Sequence, residues 1–149
     1  MGNVRIGICA PSQLDKAFEV RRRVFVEEQN VPETLELDEF DHHPETVHWI
    51  AWDADGAAVG TARMRPYSAS ATGKVERVAV LASHRGVGIG KLLMMAVEAE
   101  ARSRGYRELR LNAQCHAQRF YEQMGYISEG FPFEEAGIPH IAMQKPLSS

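Results

Sequence analysis

Gly86, Gly88 and Gly90 stand at alternate positions between Arg85 and Lys91. A loop of this kind brings backbone N–H groups against a ligand with no Cβ in the way. Before it, Val75, Val78, Ala79, Val80 and Leu81 read as an apolar strand. After it, Ile89, Leu92, Leu93, Ala96 and Ala99 recur close to the i, i+3, i+4, i+7 spacing of a buried helical face. The first N–H groups of a helix lack partners and lie at the positive end of its dipole, so strand, glycine loop and helix start together predict a phosphate site. Two common versions are excluded. Leu92 follows Gly90-Lys91, so the hydroxyl a Walker loop offers to magnesium is missing. The dinucleotide pattern GxGxxG fails from Gly86, where Lys91 replaces the last glycine, and from Gly88, where Leu93 does.

Other chemistry-bearing residues are less organised. Histidine suits proton transfer near neutrality, which makes His116 and His140 reserve candidates for an acid or base. Adjacency of Cys115 and His116 does not establish a nucleophile and its base, and Cys115 reads as a small buried or half-buried residue. His42, His43 and His48 lie among carboxylates but in no ligand spacing, so no metal is predicted. Trp49, Trp52 and Phe133 read as core or cleft-wall residues.

The 149 residues suit a single domain, 1–149, with a core that needs neither disulfides nor metals. Two cysteines give no disulfide framework and suit a reducing cytoplasm, the expected location. No uncharged apolar run approaches the roughly 18 residues of a membrane span. A net charge of −3 argues against nucleic acid as a partner. Charge is uneven, however. Glu27 to Glu45 holds eight acidic residues and no Lys or Arg, whereas His84 to Arg119 holds seven basic residues against three acidic ones. The second stretch favours an anion and the first favours a cation.

Elements follow from periodicity. Val4, Ile6 and Ile8 predict a first strand. Ser12 and Asp15 predict a capped helix start, with Leu14, Ala17, Phe18, Val24 and Phe25 on one stripe to about Gln29 and Pro32 as the stop. Most of Arg21-Arg22-Arg23 is expected to face solvent. The acidic stretch reads mainly as loop. Val47 to Trp52, a turn at Asp53 to Gly56, and Ala57 to Arg65 form a hairpin, and a second turn is expected from Ser68 to Gly73. The helix after the glycine loop runs to Arg104-Gly105. A strand over Arg107 to Asn112, a helix over Ala117 to Met124 and strands over Tyr126 to Phe131 and Pro139 to Lys145 complete a mixed α/β sheet.

Arg85-Gly86-Val87-Gly88-Ile89-Gly90 resembles the Q/R-x-x-G-x-G/A acyl-CoA signature of the GNAT superfamily of N-acetyltransferases. Phe120-Tyr121-Glu122 with Gly125-Tyr126 resembles that superfamily's A-x-x-F/L-Y-E-x-x-G-F segment. The ends are narrower. VFVEEQNVPETLELDEFD, with Arg21, Glu28 and Gln29, and FEEAGIPHIAMQK, with Glu135, Gly137, His140 and Met143, resemble the bacterial ElaA/YjcF-like branch. The resemblance implies the GNAT fold, a mixed, mostly antiparallel sheet of about seven strands flanked by helices with the glycine loop after the central strand. It also implies an N-acetyltransferase that moves an acetyl group from acetyl-CoA to an amine of a small acceptor, which the acidic stretch would make cationic. A homodimer is compatible with it. The alternative is a coenzyme A-binding sensor or regulatory module with little catalysis.

Roles follow from the same resemblance. Arg85 to Gly90 and Lys91 would cradle the coenzyme A pyrophosphate, the backbone of Val78, Ala79 and Val80 would meet the acyl arm and its oxyanion, and Phe120 would also contact the cofactor. Gln114 replaces the asparagine frequent in the superfamily as a cofactor contact. Tyr121 takes the position of the general acid toward the coenzyme A sulfur. Glu76, on the central strand, is the first candidate base, on the expectation that partial burial raises its pKa toward neutrality. Glu28, Gln29 and His140 would face the acceptor.

Overall fold

The structure is a computed structural model that describes residues 3–67 and 71–148. Seven strands form one sheet in the order β1-β2-β3-β4-β5-β7-β6. They are β1 (Arg5–Ile8), β2 (Val47–Trp52), β3 (Ala58–Pro66), β4 (Thr72–Val80), β5 (Glu108–Gln114), β6 (Ile127–Glu135) and β7 (Ile138–Pro146). Only β4 and β5 pair in parallel, with helix α3 (Ile89–Ser103) as their crossover. The mixed, mostly antiparallel sheet expected from the sequence is therefore observed.

Alternation along β3 assigns the two faces. Gly60 lies under α3, where a Cβ would fall 3.1 Å from Leu93 Cδ1, and Gly73 of β4 meets Leu109 in the same layer. Ile89, Leu93, Met94, Val97 and Ala101 of α3 are buried there against Trp49, Val75, Leu111 and Met143. Burying each of the larger apolar side chains contributes on the order of 1.5 to 3 kcal/mol. Arg63, the odd neighbour on β3, points to the other face, toward helix α1 (Leu14–Arg21).

Helix α1 runs directly into a π-helical stretch, Arg22–Glu28, so the predicted helix reaches almost its expected end. Its start differs. The Gln13 side chain accepts from the Ala10 N–H, in place of a cap by Ser12 and Asp15. Arg22 and Arg23 face solvent as expected, but Arg21 is completely buried. The reason lies in the acidic stretch, which folds into a short helix α2 (Glu33–Glu36) and a turn of 3₁₀ helix at Glu39–His42. Arg21 donates to Glu36 at 2.8 Å and to Asp41 at 2.5 Å. Arg63 donates to Asp38 and Asp41, and Arg77 to Glu36 and Asp38. Three carboxylates of the acidic stretch thus neutralise three arginines beneath it. The stretch is an internal lock, and the expectation that it presents a cation-attracting surface is not met.

The predicted hairpin and its Asp53–Gly56 turn are present, the Asp53 side chain accepting from the N–H groups of Asp55 and Ala57. Of the second expected turn, Ser68, Ala69 and Ser70 lie outside the described residues, and Thr72 and Gly73 already belong to β4. β6 runs past the expected strand end at Phe131 to Glu135. The last helix, α4 (Gln118–Gln123), leads into Tyr126, whose hydroxyl donates to the buried Glu98 of α3 at 2.9 Å.

Candidate active site

A bulge and a divergence create the site. Thr61 pairs with Ala79 but Arg63 pairs with Glu76, so β4 carries one residue more than β3 over this stretch, and Arg77 takes a positive φ of 60°. On its other side β4 pairs with β5 only from Thr72 to Val75. Beyond that point the strands separate. Leu81 N–H donates to Val59 O at 2.9 Å. By the alternation of an antiparallel ladder, Ala79 then bonds toward β3, while the N–H and C=O of Val80 face the gap left by β5. Val80 O accepts from Arg85 Nε at 2.9 Å.

The gap opens into a cavity of about 850 Å³. Val78, Ala79 and Val80 line one wall together with Arg85 and Glu76, and Gln114 and Tyr121 line the opposite wall. Glu28 and Gln29, at the end of the π-helical stretch, and His140 of β7 also line the cavity. Candidates that the sequence spreads over 113 positions, from Glu28 to His140, therefore meet at one cleft, but Gly86 to Lys91 and Phe120 are not among its lining residues.

The glycine loop lies beside the cavity and does not line it. Gly86 and Gly88 have φ of 81° and 90°, in the left-handed region, and a Cβ on either would meet nothing within 4 Å. The space above the loop is open, and the first turn of α3 has no side-chain cap. Val87 and Lys91 are exposed, whereas Ile89 is a core residue. Gly90 sits against Phe120, whose ring would be 3.3 Å from a Cβ there, so Phe120 supports the loop.

Two latches tie the end of the π-helical stretch to the residues facing it across the cleft. Arg85 donates to both carboxylate oxygens of Glu28, at 2.5 and 2.6 Å. That hydrogen bond holds the Glu28 carboxyl below the usual carboxylate range. Gln29 and Gln114 exchange amide hydrogen bonds of 3.2 and 2.8 Å.

Glu76 departs from expectation. Burial alone would push its carboxyl up, but it accepts from Arg65 Nε at 2.7 Å and from Arg63 Nη2 at 2.9 Å, and these partners hold it below the ordinary carboxylate value. The expected near-neutral pKa is reversed, and Glu76 instead joins β4 to β3.

Tyr121 is buried, edge-on to Phe120 and Tyr126 at ring separations of 4.9 and 5.8 Å. Its hydroxyl makes no hydrogen bond among the described residues. Burial pushes the phenol well above its ordinary value, so it stays a neutral proton donor.

His140 is fixed as one tautomer. Nδ1 lies 2.7 Å from Ile138 O, a group that can only accept, so Nδ1 carries the hydrogen and the neutral ring keeps its lone pair on Nε2. Phe133 stacks on the ring, and Nε2 is 3.9 Å from Glu135 Oε2. His140 pairs with Gln114 across β7 and β5. If the β4–β5 offset is continued past the split, Gln114 falls level with the bulged Val78 stretch. A lone pair and a phenol proton thus line the same cleft. His116 lines it too but is exposed.

Comparison with known proteins identifies the family. The family model for the acetyltransferase (GNAT) domain covers residues 9–147. This chain belongs to the GNAT acetyltransferase family. The uncharacterized N-acetyltransferase YjcF from Bacillus subtilis is 44% identical over 135 residues, 89% of this chain and 92% of that one. Among solved structures, Escherichia coli ElaA superposes with a TM-score of 0.83 at 29% identity, covering 97% of this chain and 99% of its own. An acyl-CoA N-acyltransferase from Pseudomonas aeruginosa gives 0.82, also at 29% identity, over the same shares. Among the described residues no helix is long and apolar enough to cross a membrane, and no group of three or more His, Cys, Asp or Glu is placed to hold a metal ion.

Sequence reasoning passed over Arg63 and Lys74. Lys74 carried a signal, since it lies two residues before Glu76 and alternation puts both on one face of β4. Arg63 carried none, because its acidic partners are distant in sequence.

Proposed function

We propose that this protein transfers an acetyl group from acetyl-CoA to an amine of a small acceptor by direct attack within a ternary complex. The observation that carries this is the shared cleft. Tyr121, a neutral phenol, and His140, with a free Nε2 lone pair, both line it beside the outward-facing backbone of Val80. The acyl-CoA donor named for the Pseudomonas relative supports the choice of cofactor.

In this reading the N–H groups of the Gly86–Lys91 loop hold the pyrophosphate and the β4 backbone meets the acyl arm. An alkylammonium with pKa near 10 must lose a proton, at a cost of about 4 kcal/mol at pH 7. His140 Nε2 takes it. The amine lone pair attacks the thioester carbon, forming the C–N bond, and the tetrahedral oxyanion turns toward a β4 backbone N–H. The C–S bond then breaks, the thiolate takes the Tyr121 proton, and the nitrogen gives up its second proton, which through solvent restores the phenol. Gln114, held by Gln29, borders the cofactor side, and Glu76 keeps its charge and holds the bulge in place.

The test is acceptor-dependent thiol release from acetyl-CoA across a panel of primary amines, for the wild type and Tyr121→Phe. We expect release to depend on the amine and kcat to fall by about two orders of magnitude in the variant. Full turnover by Tyr121→Phe at every pH would remove Tyr121 from the mechanism.

A further inference from the structure

With the acidic lock neutralised internally, the charge left in the cavity comes from two places. At one end of its floor, Glu135 is half-exposed, accepts from Asn112 Nδ2 at 3.2 Å and lies 3.9 Å from His140 Nε2. At the other end is Lys74. It is 8% exposed, lines the cavity, and makes no hydrogen bond or salt bridge among the described residues. Its ammonium contacts the Tyr67 ring at 4.6 Å.

A buried cation without a counter-charge is costly, and proteins pair such groups or present them to an anion. The other charged groups facing the cavity from nearby are all engaged. Glu76 is held by Arg63 and Arg65, Glu36 by Arg21 and Arg77, and Glu28 by Arg85. The neighbours of Lys74 across the sheet are Arg65 on β3, paired with Glu76, and Arg110 on β5, paired with Glu108 and Glu129, so neither strand offers Lys74 a counter-charge.

We infer that Lys74 anchors an acidic group of the acceptor, a carboxylate or a phosphate, at the end of the molecule away from the amine that is acetylated. This rests on the acetyltransferase reading above. The acceptor class is then an anionic or zwitterionic amine rather than a polycation. The ammonium end lies by Glu135 and His140, and the acid end by Lys74. Register gives the span. Lys74 is level with Arg110, and His140 is level with Gln114. Those two β5 positions are four residues apart, about 13 Å at the usual strand rise. The Lys74 side chain covers part of that distance.

The probes are a ladder of ω-amino acids of increasing chain length, the carboxamide of each, and the matching ω-aminoalkyl phosphates. They are titrated calorimetrically into the wild type, Lys74→Gln and Lys74→Arg, with and without saturating coenzyme A. We expect one chain length at which the acid binds about tenfold tighter than its carboxamide. That preference is lost in Lys74→Gln and kept in Lys74→Arg. Tighter binding of the phosphate than of the carboxylate would identify a phosphorylated amine, and the reverse an amino acid, with either result supporting the anchor. Equal binding of acid and carboxamide by the wild type, or a preference that survives in Lys74→Gln, would overturn it. A Lys74-dependent preference without any acetyl transfer to these amines would leave the anchor standing and count against the transferase reading alone.

Discussion

Replacement of His140 by glutamine separates proton removal from every other part of the reaction. Glutamine keeps similar bulk and polarity but offers no basic lone pair. With an amine of pKa near 10, about one molecule in a thousand is unprotonated at pH 7, and a positioned base contributes about 10²- to 10⁴-fold. We therefore expect kcat/KM for the amine to fall by about 10²- to 10³-fold at pH 7. The variant should then gain about tenfold per pH unit as free amine accumulates, so that its profile approaches the wild type near pH 10. The KM for acetyl-CoA should stay constant, because in the proposed mechanism His140, on β7, serves the acceptor and not the cofactor. The fold should survive, since the substitution removes one 2.7 Å hydrogen bond to Ile138 O and a ring stack with Phe133, worth about 1 to 2 kcal/mol together. The assay is thiol release under kcat/KM conditions from pH 6.5 to pH 10, with thermal melting as the folding control. Equal rates at pH 7, or a constant deficit at all pH values, would refute the assignment of His140 as the base.

Two further expectations concern the lock under the acidic stretch. Arg21→Met should destabilise the protein by about 3 kcal/mol in urea unfolding, the low end for breaking a buried ion pair. The low end applies because Arg63 still holds Asp41 and Arg77 still holds Glu36. A loss below about 1 kcal/mol would mean the buried network does little for stability. The same network sets an acid limit. Burial pushes Asp38, Asp41 and Glu76 up, but their arginine partners outweigh it and hold all three below the usual range. Their stabilisation is complete above the unfolded carboxylate values of about 4 and is lost as pH falls through the lower folded values. Melting temperature should hold above about pH 5 and decline steadily below about pH 4, and a flat profile to pH 3 would contradict the pairing.

The glycine loop with its flanking strand and helix was legible because local spacing encodes it, whereas Tyr121 was singled out only through the family resemblance. Gly86 and Gly88 need positive φ, and the α3 stripe follows helical period. What sequence could not show was partnership across distance. The acidic run read as a surface because nothing local says that Arg21 and Arg63 are buried beneath it. Glu76 read as a potential base for the same reason, since its partners sit on β3 and reach it only through strand pairing. The bulge at Arg77 was equally silent, because it is set by register and not by a glycine. His140 stood in a motif, but its tautomer depends on Ile138 O, a backbone group.

The central claim is transfer, as distinct from binding. The direct measurement incubates the wild type with acetyl-CoA isotopically labelled in its acetyl group and a pool of primary amines that includes the ω-amino acids, and follows labelled N-acetyl product and free coenzyme A together by mass spectrometry. The account predicts a labelled amide that accumulates in step with coenzyme A and requires both enzyme and amine. Tight binding of acetyl-CoA with no labelled amide and no amine-dependent release of coenzyme A would contradict it, and would make the protein a cofactor-binding module on a transferase fold.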